Sequence, residues 1–305
     1  MRSSTQLTSG PQVELPPYSV VVPVDDDVRF LEDAVNTALA QSHPPKEIII
    51  VNDAPGSRSA DAIASICARH QIVRSVCTEA SFGAGPARNK GLDVASCDFI
   101  ALLDADDTWA PSKMSDQLTQ MSQQGALLCS TQYGTIRAGH VIERPRKAFS
   151  GWVGHFRLLA DNPIGTSSVV VHKSLGLRFS ELKRRQDWAA WIEMSKAGHA
   201  CWVVDSVLMY HRIAHSSTSL SANKLACVKY QWQVLRRTAA LNVVTSAIYI
   251  AMNAALAVLH DVTINLSAAA GPSSAATRSE GRRDAEQRPS ASRGLVHRLL
   301  NSGGR

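Results

Sequence analysis

Short runs of consecutive apolar residues alternate with helical patterns over the first 125 residues of the chain. The runs at 18–24 (YSVVVPV), 46–51 (KEIIIV) and 98–103 (DFIALL) predict buried strands, and 72–77 predicts a weaker one. Apolar residues at helical spacing predict helices at 28–41, 59–70, 86–96 and 111–124. Strands that are apolar on both faces and alternate with helices indicate an α/β fold, with a mostly parallel sheet flanked by helices.

The pattern changes after residue 125. There we predict strand and turn at 126–143, a helix at 150–161, a strand at 167–172, a helix at 187–198, an extended segment at 200–210 and a helix at 224–240. Three tryptophans of this half, Trp188, Trp191 and Trp232, are predicted to lie in the core.

Acidic residues follow three of the predicted strands, at Asp25–Asp27, at Asp53 and at Asp104–Asp107. Ligands bind beyond the carboxyl ends of the strands in sheets of this kind. The three carboxylates within Asp104–Asp107 repel one another unless a cation neutralises them. We interpret Asp104 and Asp106 as a site for a divalent metal and a nucleotide, and Asp107 as an N-cap of the next helix.

Other polar residues allow two interpretations each. Asp53 either accepts hydrogen bonds from a nucleobase or ribose, or forms an Asx turn. Arg88 follows a glycine-rich stretch at a predicted helix start, which is a candidate anion site. Asp187 is either the N-cap of its helix or a general base for a hydroxyl group. Arg212 and Lys224 are either cations that contact a diphosphate or solvated surface residues.

Charge and composition exclude some classes of partner. The net charge is +6, and residues 265–305 hold seven Arg against three acidic residues, so 7 − 3 = +4 of it lies there. The remaining body is close to neutral, which argues against a nucleic-acid partner. Six scattered cysteines and no apolar leader in residues 1–17 indicate a cytoplasmic protein. Residues 241–259 form either an interfacial helix that contacts a membrane surface or a helix packed on the domain.

Several motifs, in their order along the chain, resemble the family 2 glycosyltransferases, which share the GT-A fold. They are Ser19–Val24, Glu47–Asp53, Ala87–Gly91 and Phe99–Trp109 with Pro111 and Lys113. The second half resembles a narrower group, the teichuronic-acid and capsular-polysaccharide glycosyltransferases, through Ile164–Ser168, Arg185–Trp188 with Trp191, and Tyr210–Ile213. The chain departs from the family pattern at Asp25–Asp27, at Ser81 and at Ala54–Ser57.

The resemblance implies a role for individual residues. Asp187 would deprotonate the acceptor hydroxyl, and Asp106 would hold a manganese or magnesium ion that bridges the donor diphosphate. The nucleotide-sugar contacts implied are Pro23, Val24, Asp53, Arg88, Asp104, Ala105, Arg212 and Lys224. Among these, Asp53 would bind the base and Asp104 the ribose.

The resemblance also implies a function, that of an inverting glycosyltransferase of cell-surface polysaccharide biosynthesis. The donor would be a nucleotide-diphosphate sugar, with a UDP-sugar favoured, and the acceptor a glycan or polyprenyl-linked glycan at the cytoplasmic face of the inner membrane. The alternatives are a sugar-phosphate nucleotidyltransferase and a glycan-binding protein that has lost catalysis. The predicted divisions are a flexible N-terminus at 1–17, a nucleotide-sugar-binding half at 18–125, an acceptor-binding half at 126–222, C-terminal helices at 223–261 and a disordered basic tail at 262–305.

Overall fold

A computed structural model describes residues 14–53, 56, 59–137, 140–142, 149–213 and 224–269. The strands are β1 (Tyr18–Val24), β2 (Glu47–Asn52), β3 (Val73–Cys77), β4 (Phe99–Leu102), β5 (Thr108–Trp109), β6 (Leu128–Arg137), β7 (His140–Ile142), β8 (Gly151–Val153), β9 (Val170–His172) and β10 (Cys201–Ile213). The helices are α1 (Leu31–Leu39), α2 (Ser59–Arg69), α3 (Ala84–Val94), α4 (Lys113–Gln124), α5 (His155–Ala160), α6 (Gln186–Lys196), α7 (Lys224–Gln233) and α8 (Val243–Ala269).

Within the described residues, the strands form one mixed sheet with the main order β3-β2-β1-β4-β9-β6-β10-β5. The first four strands of this order are parallel, whereas β9 is antiparallel to both β4 and β6. The α/β prediction is therefore confirmed, with four adjacent parallel strands in the first half of the sheet and one further parallel pair, β6 and β10, in the second half. The carboxyl ends of β1, β2 and β4 consequently meet at one edge.

Both faces of β1, β2 and β4 are buried, as their continuous apolar runs predict, whereas the weaker strand β3 is partly exposed. In β1, Val20 and Val22 face one core and Val21 faces the other, and all three are 0% exposed. The second core continues through Trp188 and Trp191, which confirms the prediction for these two tryptophans. Trp232 is 36% exposed, so its assignment to the core is wrong.

Some predicted elements differ from the observed ones. Residues 150–161 are not one helix, because β8 pairs with β10 before α5 begins. The predicted strand at 167–172 begins as a 3-10 turn at Thr166–Ser168, and only β9 is extended. The two-residue strand β5 carries too short a pattern to be predicted. Short segments of this kind take their conformation from tertiary pairing rather than from local periodicity.

The C-terminal helices also differ in their bounds. The predicted helix at 224–240 divides into α7 and a π-helical turn at Val234–Thr238. α8 continues to Ala269, past the boundary that we predict at residue 261. Residues 1–13 and 270–305, which include most of the predicted flexible ends, lie outside the described residues. Among the helices that the structure describes, none combines the length and apolar character needed to cross a bilayer.

Gly91 allows α3 to lie directly against the sheet. A Cβ at this position would overlap Val21 Cγ1 and would approach Val51 Cγ2 to 3.1 Å. Both valines are completely buried in adjacent strands, so neither has room to move.

We predict that Gly91→Ala lowers the free energy of unfolding by about 2 kcal/mol, since over-packing a dense core costs more than the helix propensity of alanine returns. Urea denaturation would measure this change. Gly154→Ala is the control, because a Cβ there meets nothing within 4 Å. Equal stabilities of the two variants would contradict the close approach.

Candidate active site

A cavity of about 670 Å³ opens at the edge where β1, β2 and β4 end. Eight of the predicted site residues line it, namely Pro23, Val24, Asp53, Arg88, Asp104, Ala105, Asp106 and Asp187. The first seven come from the parallel half of the sheet and from α3, and Asp187 comes from α6. The structure therefore brings the two halves of the predicted site together in one cavity.

The lining of this cavity is strongly acidic. Its carboxylates are Asp25, Asp27, Asp53, Asp104, Asp106 and Asp187, and its cations are Arg88 and Lys183. The formal charge of these side chains is 2 − 6 = −4. An anionic ligand would enter this cavity favourably only together with a cation.

Arg88 neutralises Asp104. Its Nη2 donates to Asp104 Oδ1 at 2.5 Å, and its guanidinium lies 5.3 Å from the centre of the Phe179 ring. The Arg88 side chain is 5% exposed, and its Nε and Nη1 have no hydrogen-bond partner within the part of the chain that the structure describes. Arg88 thus combines a buried ion pair with two further donors next to the cavity.

Asp106 is the carboxylate of this cluster whose charge the protein compensates least. Burial, together with the neighbouring charges of Asp107 and Asp104, raises its pKa to about 7, against a smaller opposing effect of His211. A carboxylate that is driven towards its protonated form in this way would be stabilised by a bound cation. Its oxygens therefore fit the requirements of a divalent metal.

The protein alone does not supply a complete set of metal ligands. Among the described residues, no group of three or more His, Cys, Asp or Glu side chains is arranged to hold an ion. Magnesium-like ions are commonly held by one or two carboxylates, with substrate phosphates and water completing the coordination. Asp106 fits this arrangement, in which the ligand brings most of the coordinating oxygens.

The interpretation of Asp107 as a helix cap is wrong. The residue that precedes α4 is Ser112, whereas Asp107 is 3% exposed and does not line the cavity. Its Oδ2 accepts from Ser167 Oγ at 2.5 Å, and its Oδ1 lies 2.9 Å from His211 Nδ1 and accepts from the Arg212 backbone N–H at 3.3 Å. Asp107 therefore connects the end of β4 to two distant segments.

Ser167 is the residue of this network that the sequence reasoning missed as functional. Its hydroxyl also accepts from the Asp104 backbone N–H at 3.0 Å, and its carbonyl accepts from Trp109 Nε1 at 2.7 Å. Its position within Ile164–Ser168, which carries the resemblance to the narrower group, is the one signal that could have identified it.

Asp53 holds the loop that forms one wall of the cavity. Its carboxylate accepts from Thr78 Oγ1 at 3.0 Å, from the Phe82 N–H at 3.2 Å and from the Gly83 N–H at 2.6 Å. Gly83 has φ 95°, a conformation that favours glycine. The structure thus gives Asp53 an anchoring role that the sequence did not indicate. Most residues of the alternative Asx turn, 54–57, lie outside the described residues.

The position of Asp187 depends on contacts between α3 and the segment that precedes α6. Asn89 exchanges two hydrogen bonds of 2.8 Å with the backbone of Phe179, and a Cβ on Gly85 would overlap the Ser180 carbonyl oxygen. Asp187 is the second residue of α6 and lines the cavity, and the N-cap position is taken by Arg185. The N-cap interpretation of Asp187 is therefore wrong.

Arg212 lies behind the cavity wall and does not line it. Its guanidinium lies 4.0 Å from the centre of the Phe30 ring, and Phe30 itself faces the cavity. Nε donates to the Asp106 carbonyl at 3.2 Å, and Nη2 lies 3.4 Å from Asp33 Oδ2. Arg212 thus supports the Asp106 backbone. Lys224 begins α7, and its side chain lies outside the described residues.

Lys113 supports the site from the core. It is completely buried, and its Nζ lies 4.0 Å from the centre of the Trp109 ring and 3.6 Å from Met114 Sδ. Burial lowers its pKa from 10.5 to about 7, and the nearby Cys129 opposes this shift. The Trp109 indole N–H donates to the Ser167 carbonyl. Lys113 therefore packs against a residue of the network that holds Asp104 and Asp107.

We predict that Asp107→Asn lowers the free energy of unfolding by about 1–3 kcal/mol, because an amide N–H₂ replaces one buried acceptor oxygen. A helix cap would tolerate the same change, since Asn and Asp cap equally well. Chemical denaturation would measure the loss. Asp116→Asn, on the exposed first turn of α4, is the charge-matched control. Equal effects at both positions would contradict the anchoring role.

We predict that Lys113→Met makes stability less dependent on pH. Above about pH 7 the native lysine is neutral, whereas the unfolded chain binds its proton up to about pH 10.5. The unfolded state then holds more protons, so the wild-type free energy of unfolding rises with pH. Between pH 7 and 9, we expect the wild type to gain roughly 2 kcal/mol relative to the variant, measured by denaturation. Parallel pH curves would contradict a neutral Lys113.

Comparison with known proteins assigns the fold and the family. Residues 19–184 match the family described as Glycosyl transferase family 2. The chain is 28% identical over 224 residues to the teichuronic acid biosynthesis glycosyltransferase TuaG of Bacillus subtilis, a match that covers 72% of this chain and 88% of that protein. It is 24% identical over 221 residues to the Escherichia coli UDP-Glc:alpha-D-GlcNAc-diphosphoundecaprenol beta-1,3-glucosyltransferase WfgD. This match covers 71% of this chain and 84% of that protein.

The fold is that of a solved glycosyltransferase structure. Residues 1–349 of TarS from S. aureus, in complex with UDP-GlcNAc, superpose with a TM-score of 0.59 at 15% identity. The superposition covers 78% of this chain and 71% of that one. The family match spans more than half of the chain and includes every acidic strand end of the cavity. The chain belongs to glycosyl transferase family 2 and is a glycosyltransferase.

Proposed function

We propose that the chain transfers a sugar, with inversion, from a UDP-sugar to a polyprenyl-linked glycan during cell-surface polysaccharide biosynthesis. The observation that carries this proposal is that Asp106, a poorly compensated carboxylate, and Asp187, mounted on a helix, line the same cavity. Asp106 would bind the cation that accompanies the sugar donor, and Asp187 would activate the acceptor hydroxyl. The family assignment favours this function over nucleotidyl transfer or glycan binding alone.

The donor side of the proposal rests on charge. A nucleoside diphosphate is an anion, and the cavity lining has a formal charge of −4. A divalent cation, for which family 2 glycosyltransferases commonly have a requirement, would resolve this conflict. Asp106 would hold manganese or magnesium, which would stabilise the charge that develops on the leaving diphosphate.

The remaining donor contacts follow from the position of each residue. Pro23, Val24 and Ala105, at the ends of their strands, would contact the nucleotide. Asp104 would contact the ribose. Two buried N–H groups of Arg88, at Nε and Nη1, have no hydrogen-bond partner among the described residues. They support a role for Arg88 in contacting the nucleotide-sugar. Asp53 would contact the base from the loop that it already anchors.

Asp187 is the proposed general base. Its carboxylate would accept the proton of an acceptor hydroxyl while that oxygen forms a bond to the anomeric carbon. The bond between the anomeric carbon and the diphosphate oxygen breaks, and the nucleoside diphosphate leaves with the electron pair. A base on the first turn of a helix is held rigidly, which favours proton transfer at hydrogen-bond distance.

The acceptor and the location are inferred from the named relatives. WfgD is named for a GlcNAc-diphosphoundecaprenol substrate, and TarS was solved with UDP-GlcNAc. A UDP-sugar and a polyprenyl-linked acceptor are therefore the chemical classes that we assign. Such an acceptor would place the enzyme at the cytoplasmic face of the inner membrane, in contact with its surface.

We predict that Asp106→Asn and Asp187→Asn both strongly reduce sugar transfer but differ in donor binding. Asp106→Asn should remove the manganese-dependent thermal shift produced by UDP-sugars, because it weakens the cation site. Asp187→Asn should retain that shift and lower the rate of transfer by about 10²-fold or more, as expected for the loss of a general base.

Asp116→Asn serves as the control for both variants, since this carboxylate is on α4 outside the cavity lining. Transfer at the wild-type rate by the Asp187 variant would contradict its assignment as the base. A manganese-dependent shift that survives Asp106→Asn would contradict the assignment of the metal ligand.

A further inference from the structure

α8 turns two polar side chains, Ser246 and Asn253, towards the domain, while large apolar side chains of the same helix are exposed. Ser246 is 0% exposed, and the partly buried Tyr249 and Ile250 pack against the core beside it. Asn253 Nδ2 donates to the Ala160 carbonyl at 2.9 Å, and Gln231 Nε2 donates to Asn253 Oδ1 at 3.0 Å. A helix on the surface of a soluble domain normally buries its apolar face and exposes its polar one.

The outward face of α8 is entirely apolar between residues 243 and 256. Its exposed side chains are Val243, Val244, Ala247, Ile248, Ala251, Met252, Ala254, Ala255 and Leu256. Val244 is 69% exposed and Ile248 is 59% exposed. These residues, with Met252 and Leu256, recur every four positions and so form one stripe along the helix. Burial of such a stripe in an apolar environment is favourable, and its exposure to water is not.

The helices that pack against α8 expose large apolar side chains as well. Phe156 of α5 is 79% exposed, and Val228 and Trp232 of α7 are 45% and 36% exposed. This explains why Trp232 is not part of the core. A tryptophan that is partly exposed beside an apolar stripe is typical of a protein surface that contacts a bilayer interface.

Charge identifies the partner of this face. The sequence contains no Asp or Glu between Asp205 and Asp261, whereas Lys229 and Arg237 are exposed on the segments that precede α8. After residue 265, the sequence contains seven arginines and three acidic residues, a net charge of +4. Two copies that paired through this face would bring like charges together. An apolar stripe flanked by cations instead complements a bilayer with anionic headgroups.

We propose that α8 lies in the plane of an anionic lipid bilayer, with Val244, Ile248, Met252 and Leu256 inserted below the headgroups and with Lys229 and Arg237 on anionic lipids. This inference makes the proposed membrane contact more specific. It rests on the proposed function only for the identity of the membrane. The binding itself needs no sugar donor. It therefore fails or succeeds independently of sugar transfer.

Flotation of the full chain with vesicles tests this proposal. We expect the protein to float with vesicles of phosphatidylglycerol and phosphatidylcholine in equal parts, and to remain largely unbound with phosphatidylcholine alone. Binding should weaken at high salt, which screens the cations. Lys229→Gln with Arg237→Gln should weaken binding about 25-fold, because each cation contributes about a factor of five at an anionic surface.

Ile248→Glu with Met252→Glu should abolish flotation, because two charges then enter the apolar stripe. Ala64→Glu with Ala68→Glu, at exposed positions of α2, adds the same charge elsewhere and should leave flotation unchanged. Circular dichroism would verify that both variants are folded, and the UDP-sugar thermal shift should be the same in all of them.

Two results would overturn the proposal. The first is flotation of the Ile248→Glu, Met252→Glu variant at the wild-type level. The second is a wild-type protein that does not float and that sediments as a dimer, while this variant sediments as a monomer. In that case, a second copy of the chain would cover the apolar face.

Discussion

The repulsion among three carboxylates at the end of β4 organises the cavity. Asp104, Asp106 and Asp107 lie within four residues, and each has a different environment. Asp104 is paired with Arg88 from α3, and Asp107 accepts hydrogen bonds from the 3-10 turn at 166–168 and from β10. Asp106 retains a charge that burial disfavours. Stabilising this edge therefore requires three segments that are remote in sequence to meet there.

Helix α3 connects the end of β4 to the segment that leads into Asp187. Within α3, Arg88 holds Asp104, while Asn89 and Gly85 hold the segment that leads into Asp187. One helix thus positions both Asp104 and the proposed base, Asp187. Its Gly91 also lets it lie directly on the sheet, so an error in its packing would displace both sides of the site together.

Local sequence patterns predict the buried strands, whereas contacts between distant segments determine several other elements. The strands β1, β2 and β4 were predicted nearly to their ends, because runs that are apolar on both faces are characteristic of buried parallel strands. The segment at 150–161 was predicted as one helix, although it pairs as β8 before α5 begins. Pairing with β10, some 50 residues away in the chain, decides this point. The N-cap interpretations of Asp107 and Asp187 are wrong for a related reason. An acidic residue near a helix start has the same local sequence pattern whether or not it caps the helix.

The sequence by itself determined the alternation of strands and helices, the sheet edge at which the acidic residues collect, and the family. These follow from periodicity and from motifs, which are local properties of the chain. The tertiary structure alone decided which carboxylate is paired and which is compensated least, because the partners Ser167, His211 and Arg212 are about 60 to 105 residues away. It also decided that Ser246 and Asn253 of α8 face the domain while large apolar side chains of the helix are exposed. The polarity of a helix face is visible in the sequence, but the surface against which it packs is set only by the folded domain.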